Sequence, residues 1–113
     1  MGITVPPDGL ERAREFYGAT LGLRERPVAS PERVAVFETG DPDLELHVVV
    51  GDRLPDPEAV HHFALETDEL AELRSRLEAA GYEPLPSRPI DGRERFFIRD
   101  PFANFVELLA PAP

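Results

Sequence analysis

The side chains most able to do chemistry are carboxylates and imidazoles set in apolar surroundings. Glu107 stands inside Phe105-Val106-Glu107-Leu108-Leu109. A carboxylate in such a stretch is costly to bury unless it is paired or coordinated. It therefore marks either a site or an ion pair with an arginine such as Arg95 or Arg99. Glu45 and His47 are two residues apart in Leu44-Glu45-Leu46-His47, which places both on one face of a strand. The same spacing is also what the solvated half of an alternating strand looks like. His61 and His62 are adjacent, so only one of them can serve a given face. Arg95 and Arg99 have the forked geometry that grips a carboxylate or phosphate. Phe37, Phe63, Phe96, Phe97 and Phe105 add aromatic surface for a core or a pocket. Tyr17 lies on the apolar stripe of a helix and reads as core.

Composition removes several classes of function. The chain has 113 residues, enough for one domain with a real core, and no cysteine. Disulfides, thiolate metal sites and cysteine nucleophiles are therefore excluded. Gly2 and Gly9 are wrongly spaced for a phosphate loop. Ser30, Ser75 and Ser87 lie in no Gly-x-Ser-x-Gly context. The formal charge is -10, and all twelve basic residues are arginines scattered among acids. Such a surface repels nucleic-acid phosphates and anionic membranes. With no apolar run near ~20 residues and no signal-like start, the expectation is a cytoplasmic protein.

These residues are carried by a pattern that occurs twice. A short strand over 3–5 stops at Pro6-Pro7, and Asp8 with Glu11 predicts a capped helix. Leu10, Ala13, Phe16, Tyr17 and Leu21 form its apolar face, and Gly22 ends it. Strands are predicted over 23–28, 34–39 and 44–50, with a turn at Gly40-Asp41-Pro42-Asp43. The second pass has a strand over 60–66 and a helix capped by Thr67 or Asp68, with Leu70, Leu73, Leu77 and Ala80 on one face. Gly81 closes that helix, and strands follow over 82–85, 95–99 and 105–110. Turns are predicted at Asp91-Gly92 and Asp100-Pro101. Leu10 matches Leu70, Gly22 matches Gly81, Pro27 matches Pro86 and Asp41-Pro42 matches Asp100-Pro101. Leu44-Glu45-Leu46 matches Val106-Glu107-Leu108, all at offsets of 59 to 62 residues. One half alone cannot cover both faces of its sheet, so the halves pack together or pair with another chain.

A βαβββ unit used twice in this length resembles the vicinal oxygen chelate superfamily, which includes glyoxalase I, extradiol dioxygenases, fosfomycin-resistance proteins and bleomycin-resistance proteins. The carrying stretches are Leu10-Glu11-Arg12-Ala13-Arg14-Glu15-Phe16-Tyr17 with Leu21-Gly22-Leu23, Glu45-Leu46-His47, His61-His62-Phe63-Ala64-Leu65, Leu77-Glu78-Ala79-Ala80-Gly81, and Arg99-Asp100-Pro101-Phe102-Ala103-Asn104-Phe105-Val106-Glu107-Leu108. The resemblance implies an α+β fold in which two βαβββ modules form a curled mixed-sheet cleft. Module one would span 1–50, a linker 51–59 and module two 60–113.

In metal-using members a divalent ion sits in the cleft, held from the first and fourth strands of each half. By resemblance the ligands here are His62, Glu107 and Glu45, suited to Fe, Mn, Ni or Zn. Glu45 would be third ligand or base, and His47 a proton carrier or substrate contact. Arg95, Phe97 and Phe105 would be further substrate contacts. The opening strand departs from the pattern: the position equivalent to His62 falls at Met1 or one place before it, and residues 1–5 offer no His, Glu or Gln. Ala103 also stands where similar proteins have glycine, and is strained if the turn needs a positive φ.

Two functions follow from the resemblance. One is a metal-dependent lyase, isomerase or dioxygenase acting on a small oxygen-rich substrate. The other is a metal-free binder of the bleomycin-resistance kind. A homodimer is expected in either case, with or without exchange of modules.

Overall fold

Alternating apolar residues build two sheets of the same design. The structure, a computed structural model, describes residues 1–51 and 62–112. Sheet one contains β1 (Gly2–Val5), β2 (Arg24–Arg26), β3 (Val34–Glu38) and β4 (Glu45–Val50), in the order β1-β4-β3-β2. Sheet two contains β5 (His62–Glu66), β6 (Leu85–Pro86), β7 (Arg95–Arg99) and β8 (Phe105–Leu109), in the order β5-β8-β7-β6. In each sheet the first strand runs parallel to the fourth and the other pairs are antiparallel. Between first and second strands lie α1 (Leu10–Ala13), which continues as a π-helical segment Arg14–Thr20, and α2 (Leu70–Ala79). This is the α+β architecture of two βαβββ modules. The predicted linker lies almost wholly outside the described residues.

Period two divides each sheet into two faces. Ile3, Val5, Ala35, Phe37, Leu46 and Val48 of sheet one point to the helix side, as do Leu65, Phe96, Ile98, Val106 and Leu108 of sheet two. Together with Leu10, Ala13, Phe16, Leu73 and Leu77 they form one continuous core shared by the modules. Cross-strand register places Val36, Glu45 and His47 on the opposite, helix-free face of sheet one. It places Arg95, Phe97, Arg99, Phe105 and Glu107 on the helix-free face of sheet two.

The modules are joined by a buried polar contact. Tyr17, wholly buried, donates its hydroxyl to Asp100 Oδ2 at 2.5 Å. The same carboxylate accepts the amide N–H groups of Phe102 and Asn104 on Oδ1 and the Asn104 side-chain amide on Oδ2. Four donors therefore satisfy a group only 4% exposed, as burial of a carboxylate requires. The π-helical segment makes this reach possible. Its wider turn, closed by Leu21 N–H to Phe16 O, lets two consecutive aromatics face inward. Phe16 packs edge-on against Tyr82 at 4.8 Å while Tyr17 turns to Asp100.

Local expectations fail where neighbours from the other module intervene. Asp8 does not cap α1; the cap is Gly9, with no side-chain hydrogen bond. A Cβ at Gly9 would lie 2.9 Å from the Phe102 ring, so the helix entrance is shaped by packing rather than by a capping box. α2 begins after Glu69, whose N–H is held by the Thr67 hydroxyl. Tyr82 belongs to the end of α2, donating its N–H to Leu77 O, in the pattern that follows a left-handed C-terminal glycine. β6 consequently starts three residues later than expected. Asp91 and Gly92 both have positive φ, 50° and 75°, the hairpin turn that Asp-Gly predicts. Ala103 does adopt the left-handed region, at φ 67°.

Two stability changes follow. Tyr17→Phe leaves one Asp100 oxygen short of a donor and should lower unfolding free energy by about 1–3 kcal/mol, measured by denaturant unfolding. Burial first, and the Asp100 charge second, hold the Tyr17 hydroxyl well above a tyrosine's ordinary value. The folded value is raised, so this contribution is complete below about pH 10 and is lost as pH rises through the folded value. Tyr17→Phe should remove that part of the alkaline loss. Ala103→Gly should stabilise the chain by about 1 kcal/mol, because glycine enters the left-handed region without a Cβ clash, and the melting temperature should rise accordingly.

Candidate functional site

On sheet two, β7 and β8 bring five of the residues singled out in the sequence to one face, Arg95, Phe97, Arg99, Phe105 and Glu107. Phe97 sits opposite Glu107, and Arg99 opposite Phe105. The rings of Phe97 and Phe105 stack with centroids 4.7 Å apart and planes 8° from parallel. A guanidinium flanks each ring: Arg95 lies 5.3 Å from the Phe97 centroid and Arg99 4.2 Å from that of Phe105. Such contacts suit arginine, whose delocalised charge is weakly hydrated and stacks on aromatic faces. Arg99 also donates to Ala103 O at 2.9 Å. Arg95 donates Nε–H to Arg88 O at 3.0 Å, and its Nη1 lies 3.7 Å from Glu107 Oε2. The Glu107 side chain is 8% exposed, so the carboxylate in an apolar strand is buried beside an arginine, as one of the two sequence expectations had it.

On sheet one, Glu45 and His47 share the helix-free face. Glu45 lies directly opposite Glu38 across the β3–β4 ladder, a like-charge pairing that is unfavourable. Arg26 reaches across from β2 to ion-pair with Glu45 Oε2, and Glu45 Oε1 lies 3.3 Å from His47 Nε2. The Arg26 hydrogen bond first, and the His47 contact second, hold the Glu45 carboxyl below its ordinary value. Arg26 and Glu45 also border an open hollow of about 390 Å³ with Glu38, Asp41 and Leu44. Arg26 was not among the expected site residues. Its role depends on strand register across three strands, which no local signal carries.

Of the donors expected for a divalent ion, Glu45 and Glu107 have side chains among the described residues. No group of three or more His, Asp or Glu there could hold a metal ion. Glu45 is engaged by Arg26 and His47, and Glu107 has a permanent cation 3.7 Å away that competes with any second one. His62 takes the register position opposite Phe105, two residues from Ala64, which sits opposite Glu107. His61 lies outside the described residues. Each of the two expected carboxylates thus has a cation beside it that competes with a divalent ion.

A model of the Glyoxalase/Bleomycin resistance protein/Dioxygenase superfamily matches residues 3–108. The chain belongs to this superfamily. Among solved structures, it is similar to a glyoxalase-family protein from Bacillus anthracis, with 26% identity, a TM-score of 0.82, and coverage of 96% of this chain and 89% of that one. It is also similar to the fosfomycin resistance protein FosX of Mesorhizobium loti, with 23% identity, a TM-score of 0.75, and coverage of 99% and 89%. Lactoylglutathione lyase of Agrobacterium tumefaciens is 23% identical, with a TM-score of 0.69 and coverage of 97% and 91%. The last two likenesses are of fold alone. No curated protein matches the chain. Among the described residues of this superfamily member, no helix is long and apolar enough to cross a membrane.

The Glu45 arrangement is directly testable. Carbon-detected NMR titration should place the Glu45 midpoint below the ordinary glutamate range of about 4.3, and Arg26→Met should move it upward. An unmoved midpoint in Arg26→Met would show that Arg26 does not hold this carboxylate.

Proposed function

We propose that this superfamily member binds a small molecule on the helix-free face of sheet two, without a metal ion among its contacts, and that it does so as a cytoplasmic homodimer. The reading is carried by the ladder Arg95–Phe97–Phe105–Arg99, with Glu107 buried beside Arg95. The two stacked rings contribute their apolar edges, and the guanidiniums at either end contribute hydrogen-bond donors. A few fixed polar groups on a mostly apolar floor are what small-molecule sites are made of. An arginine beside each of the two expected carboxylate ligands weighs against their use on a divalent ion. A second copy is proposed because the helix-free face of sheet one leaves Val49 43% exposed.

A second reading rests on one specific observation. His62 and Glu107 have the same strand parity on adjacent strands, the placement a ligand pair needs. In that reading His62, Glu107 and Glu45 hold Fe, Mn, Ni or Zn in a lyase, isomerase or dioxygenase. The ion would supply Lewis-acid stabilisation of developing negative charge, and Glu45 or His47 would move protons. Two of the solved structures it resembles are named a fosfomycin resistance protein and a lactoylglutathione lyase.

Metal analysis separates the two. Protein purified without a tag and incubated with Fe(II), Mn, Ni and Zn should retain no stoichiometric metal, and chelator should leave small-molecule binding unchanged. One bound metal per chain, lost in His62→Ala, would replace the binding reading with the enzymatic one. Light scattering should give twice the chain mass, and a single-chain mass at high concentration would remove the dimer.

A further inference from the structure

The same Asp-Pro turn joins the third and fourth strands of each module. Asp100 Oδ1 accepts the N–H of Phe102 at 2.9 Å, and Asp41 Oδ1 accepts that of Asp43 at 2.9 Å. Ala103 donates its N–H to Asp100 O and Leu44 donates to Asp41 O, both at 3.1 Å. The two turns are therefore equivalent residue by residue, and Phe102 answers to Asp43. The helices align as well, since they begin at Leu10 and Leu70. Leu23 N–H returns to Tyr17 O as Tyr82 N–H returns to Leu77 O, so Tyr17 answers to Leu77.

Two aromatic rings close the seam between the Asp100 turn and module one. Phe102 lies against the entrance of α1, with its ring 2.9 Å from where a Gly9 Cβ would stand. Tyr17 donates its hydroxyl to Asp100 Oδ2. At the equivalent seam, Asp43 and Leu77 supply neither ring nor hydroxyl. Asp41 Oδ2 receives no donor among the described residues, and Asp41 is exposed where Asp100 is 4% exposed. The space itself is open. A hollow of about 690 Å³ separates the Asp41 turn from residues 64–68, which lead into α2. Leu44, Ala64 and Leu65 give it apolar walls, and Asp41, Glu66 and Asp68 give it carboxylates. Its volume is that of a small-molecule site. Arg93 pairs with Glu66, but Asp41 and Asp68 have no counter-charge among the described residues, so the hollow favours a cation.

We infer that this open seam is a ligand site and that it takes a small aromatic cation. The ligand's ring fills the space that Phe102 fills at the closed seam. Its ammonium group donates to Asp41 Oδ2, as the Tyr17 hydroxyl donates to Asp100 Oδ2. The site does not rest on its carboxylates alone: the duplicated contact supplies both the position of the acceptor and the shape of what meets it. None of its residues belongs to the Arg95–Phe97–Phe105–Arg99 ladder, so it stands independently of the binding face on sheet two.

The test is a two-dimensional amide NMR titration of the full chain with phenethylamine and with its neutral counterpart, phenethyl alcohol. Wild-type protein should bind the amine at least about fivefold tighter, the discrimination expected of one charge-assisted hydrogen bond partly open to water. The shifted amides should centre on residues 40–44 and 64–68. Asp41→Asn keeps an acceptor for the Asp43 N–H and should bring the two probes to parity by weakening the amine alone. Asp43→Phe rebuilds the plug of the closed seam and should abolish binding of both probes. Ala64→Phe fills the hollow from the opposite wall and should do the same, which keeps the test intact if one of the two variants does not fold. Thermal melts identify the folded variants. Failure of the amine to bind wild type, shifts centred elsewhere, equal binding of the two probes, a preference that survives Asp41→Asn, or binding unchanged in a folded plugged variant each overturns the inference.

Discussion

Asp100 is the point on which the two halves of the molecule agree. Its carboxylate closes the turn between β7 and β8 through two backbone amides and the Asn104 side chain, and it takes the Tyr17 hydroxyl from the other module. The turn decides where β8 begins. That start fixes Arg99 opposite Phe105 and Phe97 opposite Glu107. A slip of one residue would carry Glu107 into the core and Val106 and Leu108 out of it. The register that assembles the candidate site thus depends on a buried carboxylate whose fourth donor comes from a helix 83 residues away in sequence. Ala103 is held in the left-handed region within this same turn, a local strain that the four hydrogen bonds offset.

The duplicated modules have diverged on the faces that no helix covers. Glu45 on β4 and Glu107 on β8 both stand on helix-free faces, and each has an arginine beside it, but the surroundings differ. Glu45 is half-buried, opposed by Glu38 and shared between Arg26 and His47. Glu107 is buried, next to a pair of stacked rings capped by guanidiniums. In water, an ion pair like the first contributes little. In the half-buried setting of the second, an unpaired carboxylate would be costly, so the arginine is a condition of placing the acid there. One superfamily fold accommodates both arrangements because its core residues point the other way. The two faces vary independently of the packing that holds the sheets together.

Much of the architecture is legible in the residues. The β-branched and aromatic alternation marks the strands, Gly22 and Gly81 mark the helix ends with φ of 78° and 92°, and the near-constant offset between halves marks the duplication. Asp91-Gly92 names its own turn. The less legible parts are those where one module presses on the other. Phe102 lies so close to Gly9 that a side chain there would clash, and Gly9 rather than Asp8 caps α1. Tyr82 is drawn into the α2 terminus and against Phe16, which shortens β6. The π-helical turn has no separate sequence signal, since Phe16 and Tyr17 read equally well on an α-helical stripe.

The candidate site divides in the same way. Glu45, His47, Arg95, Phe97, Phe105 and Glu107 stand out by residue type and period-two spacing, because a strand's side chains alternate strictly and an acid among apolar residues demands a partner. Which partner each acid has is a matter of cross-strand register, of loops that set it, and of neighbours distant along the chain. Arg26 beside Glu45, Arg95 beside Glu107, and the hydroxyl of Tyr17 on Asp100 are therefore decided only when the strands and helices are packed. Sequence determined which side chains had to find a counter-charge or a donor; tertiary structure decided which ones they found, because electrostatic and hydrogen-bonding contacts act over a few ångströms of space and not along the chain.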